Sequence, residues 1–143
     1  MAIHPHILIV EDDDIDAEAL IRAFKAHKVS NPITRVADGV EALAVLRGGK
    51  DKPPLSQPHL ILLDLNLPRM NGLEFLSAVR QDEKLKQSIV FVLTTSNFEG
   101  DKTSAYTHNV AGYVLKDTDD HGFSDVIKLL DQYQSLVEYP QAL

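Results

Sequence analysis

Four short apolar runs in this chain each end on a polar group suited to phosphate chemistry. Ile7-Leu-Ile-Val10 leads into Glu11-Asp12-Asp13-Asp14, and Leu60-Ile-Leu-Leu63 leads into Asp64, with Asn66 following. Ile89-Val-Phe-Val-Leu93 leads into Thr94-Thr95-Ser96, and Tyr113-Val-Leu115 leads into Lys116. Crowded carboxylates repel: two of them about 4 Å apart lose roughly 4 kcal/mol at an effective dielectric near 20. A hard divalent cation relieves that strain, and all-oxygen ligation suits Mg²⁺. The cation would then offset charge as a phosphoryl group arrives. Asp64 can be the attacking carboxylate, forming an aspartyl phosphate. Thr94 and Lys116 can donate to the remaining phosphoryl oxygens, the lysine as a point charge.

Each group also has a plainer explanation. Asp13, Asp14 and Asp16 equally fit a solvated helix start, where acids are favoured. Thr94 could be a strand-end hydroxyl bonded to backbone, and Lys116 a snorkelling edge residue. The plain explanation fails for Asp64. A carboxylate directly after four apolar residues of a buried strand is costly unless paired or metal-bound.

Strands must bring these groups together. The apolar runs are compact and apolar on both faces, as in parallel sheets. A further run, Ile33-Thr-Arg-Val-Ala37, alternates more and reads as an edge strand. Helical patterns fall between the strands. Ala17, Leu20, Ile21 and Phe24 share one face of a first helix, and Phe123, Val126, Ile127, Leu130 and Val137 form a C-terminal stripe. Asp38-Gly-Val-Glu41 and Asn71-Gly-Leu-Glu74 have the form of capping boxes. The segment 98–109 is the weakest helix, with Gly100, Thr103 and few apolar residues beyond Ala105 and Tyr106. Residues 48–58 form the one long loop. The alternation of strands and helices implies a parallel sheet covered on both faces. Ligands of such sheets bind beyond the carboxyl ends of the strands, where these polar groups lie.

Composition narrows the function. The chain has 143 residues, 44% hydrophobic and 24% charged, which suits one globular domain. Its net charge of −7 disfavours a nucleic-acid partner. The absence of cysteine excludes disulfides and a thiol nucleophile. No apolar run approaches the roughly 20 residues of a membrane span, and the first residues lack a signal-peptide pattern, so a cytoplasmic location is expected. The acidic first strand–helix turn argues against a Rossmann or P-loop site.

These pieces resemble the receiver domains of two-component response regulators. The matching segments are Ile-Leu-Ile-Val-Glu11-Asp12-Asp13, Leu-Ile-Leu-Leu-Asp64-Leu-Asn66-Leu-Pro68-Arg-Met-Asn-Gly72, Val-Leu-Thr94-Thr-Ser and Gly-Tyr113-Val-Leu-Lys116. The likeness spans about residues 6–137, leaving a short tail at 138–143, so residues 1–143 are expected to form a single receiver domain. It implies an α/β, flavodoxin-like, doubly wound sheet of five parallel strands in the order 2-1-3-4-5. Asp64 would be the phosphoacceptor for a phosphohistidine on a sensor histidine kinase. Mg²⁺ would be held by Asp12, Asp64 and the backbone carbonyl of Asn66, with Glu11 acting largely through water. Thr94 and Tyr113 would be the switch pair and Lys116 the phosphoryl-oxygen ligand.

The fuller wording resembles stand-alone regulators paired with bacterial phytochrome kinases. That likeness implies a phosphorelay protein rather than an enzyme, acting beside a phytochrome-type kinase. Its signal would leave through contact with a downstream protein or a second copy. The face formed by the fourth helix, fifth strand and fifth helix is the usual output and dimer surface, and would include Tyr106, Tyr113, Tyr133 and Tyr139.

Two departures stand out. Asp117 follows Lys116 where most receivers have proline, so a cis peptide is not expected there, and residues 117–120 form an acidic loop. Thr95 is larger than the usual residue beside the switch threonine and is expected to narrow water access.

Three other readings fit less well. A haloacid-dehalogenase-type phosphohydrolase and a Toprim-like nucleotidyl-transfer domain both want an acid where Asn66 stands. A degenerate receiver, used only for binding, would not need the complete set of Asp64, Thr94 and Lys116.

Overall fold

The computed structural model describes residues 4–116 and 123–140. Asp117 and the acidic 117–120 loop therefore lie outside the described residues. The elements run β1 (His6–Val10), α1 (Asp14–Ala26), β2 (Ile33–Val36), α2 (Gly39–Arg47), β3 (His59–Leu63), α3 (Gly72–Gln81), β4 (Ile89–Thr94), α4 (Glu99–Thr107), β5 (Gly112–Leu115) and α5 (Ser124–Leu136). All strand pairs are parallel, in the order β2-β1-β3-β4-β5. The expected architecture is thus the observed one. Order reverses between β1 and β3, so the crevice at their carboxyl ends is the topological switch point.

Side-chain alternation along the strands divides the core in two. Leu8, Val10, Ile61, Leu63, Val90 and Val92 face α2, α3 and α4, whereas Ile7, Ile9, Leu62, Phe91 and Leu93 face α1 and α5. Every residue of β3 is buried, which is why its run carries no polar alternation. β2 and β5 are the edges and only partly buried, matching the more mixed Ile33–Val36 pattern.

Helix starts follow the capping residues with one difference. Asn71 and Glu74 form the full reciprocal box at α3. At α2 the Asp38 side chain accepts from the Glu41 N–H, but Glu41 accepts from the Ala37 N–H instead of the Asp38 N–H. Only half the expected box therefore forms, because the Glu41 carboxylate reaches one residue further back, while the other Asp38 oxygen is engaged by Arg69 across 31 positions of chain. The C-terminal stripe is also shorter than expected. Ile127 and Leu130 are its buried members, Phe123 precedes α5 in a left-handed conformation, and Val137 lies past its end.

Candidate functional site

Asp64 follows β3 directly and its side chain is nearly sealed from solvent, at 7% exposure. Its carboxylate is held from several sides. Oδ1 accepts from the Thr94 hydroxyl at 2.8 Å and from the Asn66 N–H at 3.1 Å. Oδ2 accepts from Lys116 Nζ at 3.0 Å. Thr94 ends β4 with no exposed surface, and Lys116 follows β5. Neighbouring parallel strands thus deliver carboxylate, hydroxyl and ammonium side by side.

The backbone here is held by close approach of α3. A Cβ on Gly72 would fall 2.6 Å from the Leu65 Cα and 2.7 Å from the Asp64 carbonyl oxygen. Only glycine lets the first turn of α3 lie against that segment, with the Gly72 N–H donating to the Leu65 carbonyl.

The acidic run after β1 separates by role. Glu11 is buried and Asp12 exposed, and one oxygen of each lies within 4.8 Å of one Asp64 oxygen and of each other. Three hard oxygen donors at that spacing, two of them buried, fit a divalent cation better than mutual repulsion. Asp13 caps α1, accepting from the Ile15 and Asp16 N–H groups. Asp14 pairs with Arg35 at 2.8 Å. Asp16 accepts from Lys116 Nζ at 2.8 Å, so one of the three acids that fitted a plain helix start in fact faces the site.

Burial pushes the Glu11 carboxyl up to about 7, and the Asp64 charge adds to the rise against the opposing Lys116 hydrogen bond. Burial works to lower the Lys116 ammonium, but its bonds to Asp16, Glu11 and Asp64 outweigh that and hold it above its ordinary value.

A second chain of contacts leads away from Asp64. Thr94 Oγ1 accepts from the Ser96 N–H at 3.3 Å, and the Ser96 carbonyl accepts from the Tyr113 hydroxyl at 2.7 Å. The Ser96 hydroxyl donates to Asp101 in the first turn of α4 at 2.6 Å. Thr95 is exposed, with Oγ1 at 3.5 Å from the Asn66 side-chain amide.

Sequence reasoning missed four of these residues. Asp16 was one of several equivalent acids. Arg35 donates two bonds to the Glu11 carbonyl, Arg69 clasps Asp38, and Ser96 joins Thr94 to both Tyr113 and α4. Arg35 alone left a trace, as a long cation inside a strand pattern. The other partners are brought together by the fold.

Comparison with known proteins agrees with this geometry. Residues 7–128 match the profile of the response regulator receiver domain. Response regulator Rcp1 of Synechocystis sp. is 33% identical over 129 residues, covering 90% of this chain and 86% of that protein. Among solved structures, the phosphorylated cyanobacterial phytochrome response regulator RcpA superposes with a TM-score of 0.87 at 33% identity, covering 97% of this chain and all of that one. The Mn²⁺-bound form of Rcp1 gives 0.78 at 31% identity, over 96% of this chain and 99% of that chain.

Proposed function

The chain belongs to the response regulator receiver domain family, and on that premise we propose that it accepts a phosphoryl group on Asp64 from a phosphohistidine of a sensor histidine kinase. The observation that carries this reading is the buried Asp64 carboxylate held by Thr94 and Lys116 beside the three-carboxylate cluster. Its likeness to phytochrome response regulators points to a kinase of the phytochrome type.

In the transfer, an Asp64 oxygen attacks phosphorus, an acyl phosphate bond forms, and the phosphorus–nitrogen bond to histidine breaks with its electrons leaving on the imidazole. Glu11, Asp12 and Asp64, with the Asn66 backbone carbonyl, would hold Mg²⁺, which when bound supplies neutralising charge for the phosphoryl oxygens. The Asn66 N–H and the Thr94 hydroxyl orient the attacking carboxylate before transfer. Afterwards the Thr94 hydroxyl and the Lys116 ammonium turn from Asp64 to phosphoryl oxygens. Thr94 and Tyr113 act as the switch pair, with Ser96 between them, and the signal leaves by contact with a partner protein or second copy on the α4–β5–α5 face.

Acetyl phosphate with Mg²⁺ is expected to add one base-labile phosphoryl group, read by intact mass. Asp64→Asn keeps the size of the side chain, removes the attacking charge and abolishes the addition. Undiminished labelling of that variant would place the acceptor elsewhere. Millimolar Mg²⁺ is expected to raise the melting midpoint of the unphosphorylated chain, because a ligand that binds only the folded state stabilises it. Asp12→Ala removes most of that rise, and an unchanged wild-type midpoint sinks the cation assignment.

A further inference from the structure

Lys116 Nζ carries three N–H donors, and each has a carboxylate acceptor: Glu11 Oε1 at 2.5 Å, Asp16 Oδ2 at 2.8 Å and Asp64 Oδ2 at 3.0 Å. The acceptors are not equivalent. The Glu11 and Asp64 side chains are 3% and 7% exposed, whereas Asp16 is 33% exposed and stands on α1. Glu11 and Asp64 also belong to the three-carboxylate cluster that suits a cation, and Asp16 does not. Ammonium and divalent cation therefore compete for the same two buried carboxylates.

A lysine on its flexible four-carbon stem, left with only those two, would settle more deeply between them, where low dielectric strengthens attraction. There it would cover more of the oxygens needed for cation binding and for attack on phosphorus. We propose that Asp16 is a positioning residue whose bond restrains the Lys116 ammonium, limiting it to one oxygen each of Glu11 and Asp64. The remaining lone pairs of those two carboxylates thereby stay available to the cation, and the ammonium stays where phosphoryl oxygens arrive. This rests on the reading of Lys116 as a phosphoryl-oxygen ligand. The neighbouring acids cannot replace Asp16, since Asp13 is spent on the α1 cap and Asp14 on Arg35.

The test uses the full chain and two readouts, Mg²⁺ titration followed by thermal melting and labelling by acetyl phosphate. In Asp16→Ala the Mg²⁺ concentration for half-maximal stabilisation is expected to rise about fivefold, the scale of a partly exposed ion pair. Labelling slows at low Mg²⁺ and recovers at saturation. Asp16→Glu restores most of the affinity, and the isosteric Asp16→Asn falls between. In a Lys116→Met background, Asp16→Ala no longer changes the half-point, because the residue acts only through the lysine.

An unchanged half-point in Asp16→Ala overturns the proposal. So does an equal rise in the Lys116→Met background, which marks simple attraction between Asp16 and the cation. Failure of the wild-type chain to label would instead remove the phosphoacceptor reading. The melting titrations decide the role of Asp16 in either case.

Discussion

α3 and α4 both connect to the Asp64 site, yet they are held in different ways. α3 begins with a complete capping box, lies against the Asp64–Leu65 backbone through Gly72, and buries Phe75, Leu76 and Val79. α4 begins at Phe98 with no side-chain cap bond among the described residues, and Ala105 is its buried residue. What holds α4 is polar and sits at its two ends. Ser96 bonds Asp101 at the site end, and Arg80 donates to the His108 and Asn109 carbonyls at the other. A helix packed by apolar side chains stays in place when one hydrogen bond changes. A helix pinned by single polar contacts can shift, so under the proposed function α3 is expected to act as scaffold and α4 to respond.

The largest expected effect tests the scaffold half of that contrast. Phe75 is fully buried, and Phe75→Ala should destabilise the chain by about 3–5 kcal/mol in urea unfolding. Tyr106 on α4 is 49% exposed, and Tyr106→Ala should change stability by less than about 0.5 kcal/mol. Equal losses from the two variants would erase the distinction between the helices.

A smaller effect should appear in acid, and it belongs to the α3 side. Asp38 is held below the usual carboxylate range, first by the Glu41 N–H and then by Arg69, against an opposing effect of burial. Asp82, at the end of α3, is lowered chiefly by the Lys84 N–H, with Arg47 adding to it against burial. For each group the folded pKa lies below the unfolded one. The unfolded chain therefore binds the proton first as pH falls, and stability present above about 4 is lost on passing down through the folded values. Asp38→Asn with Asp82→Asn should flatten that part of the stability–pH curve, measured by urea midpoints from pH 5 to 2.5. An unaltered slope would mean that other carboxylates carry the acid transition.

How much of this was readable in the chain follows from the range of each interaction. The α3 cap is local, three residues apart, and its sequence pattern is sufficient. The burial of β3 and the convergence of Asp64, Thr94 and Lys116 follow from strand ends in a parallel sheet, so short apolar runs already carry them. Arg80 is different. Its guanidinium joins the carbonyls of Lys86, Ser88, His108 and Asn109, from two separate segments, and no spacing rule anticipates it. Asp38 likewise looked like half of a local box until Arg69, brought close by the loop before α3, took its second oxygen. Contacts between distant segments are set by packing, and their residue types alone are ordinary surface charges.

A modest expected change in stability is the most informative about α4. Ser96→Ala removes the hydroxyl bonded to Asp101, a net loss of about 1 kcal/mol. The Ser96 backbone, which accepts from Tyr113 and donates to Thr94, is retained. Phosphorylation of Asp64 should therefore proceed at near the wild-type rate in Ser96→Ala, while the phosphate-dependent change at the first turn of α4 is reduced. Thr94→Ala supplies the stronger comparison, since it loses the group that touches Asp64 itself and should also accept phosphate more slowly. Amide hydrogen exchange with and without acetyl phosphate separates the two variants. The α4 amides should become less responsive in both, with slowed labelling in Thr94→Ala alone. A full wild-type response in Ser96→Ala would show that α4 is moved through Tyr113 and β5, leaving the Asp101 contact as a passive tie.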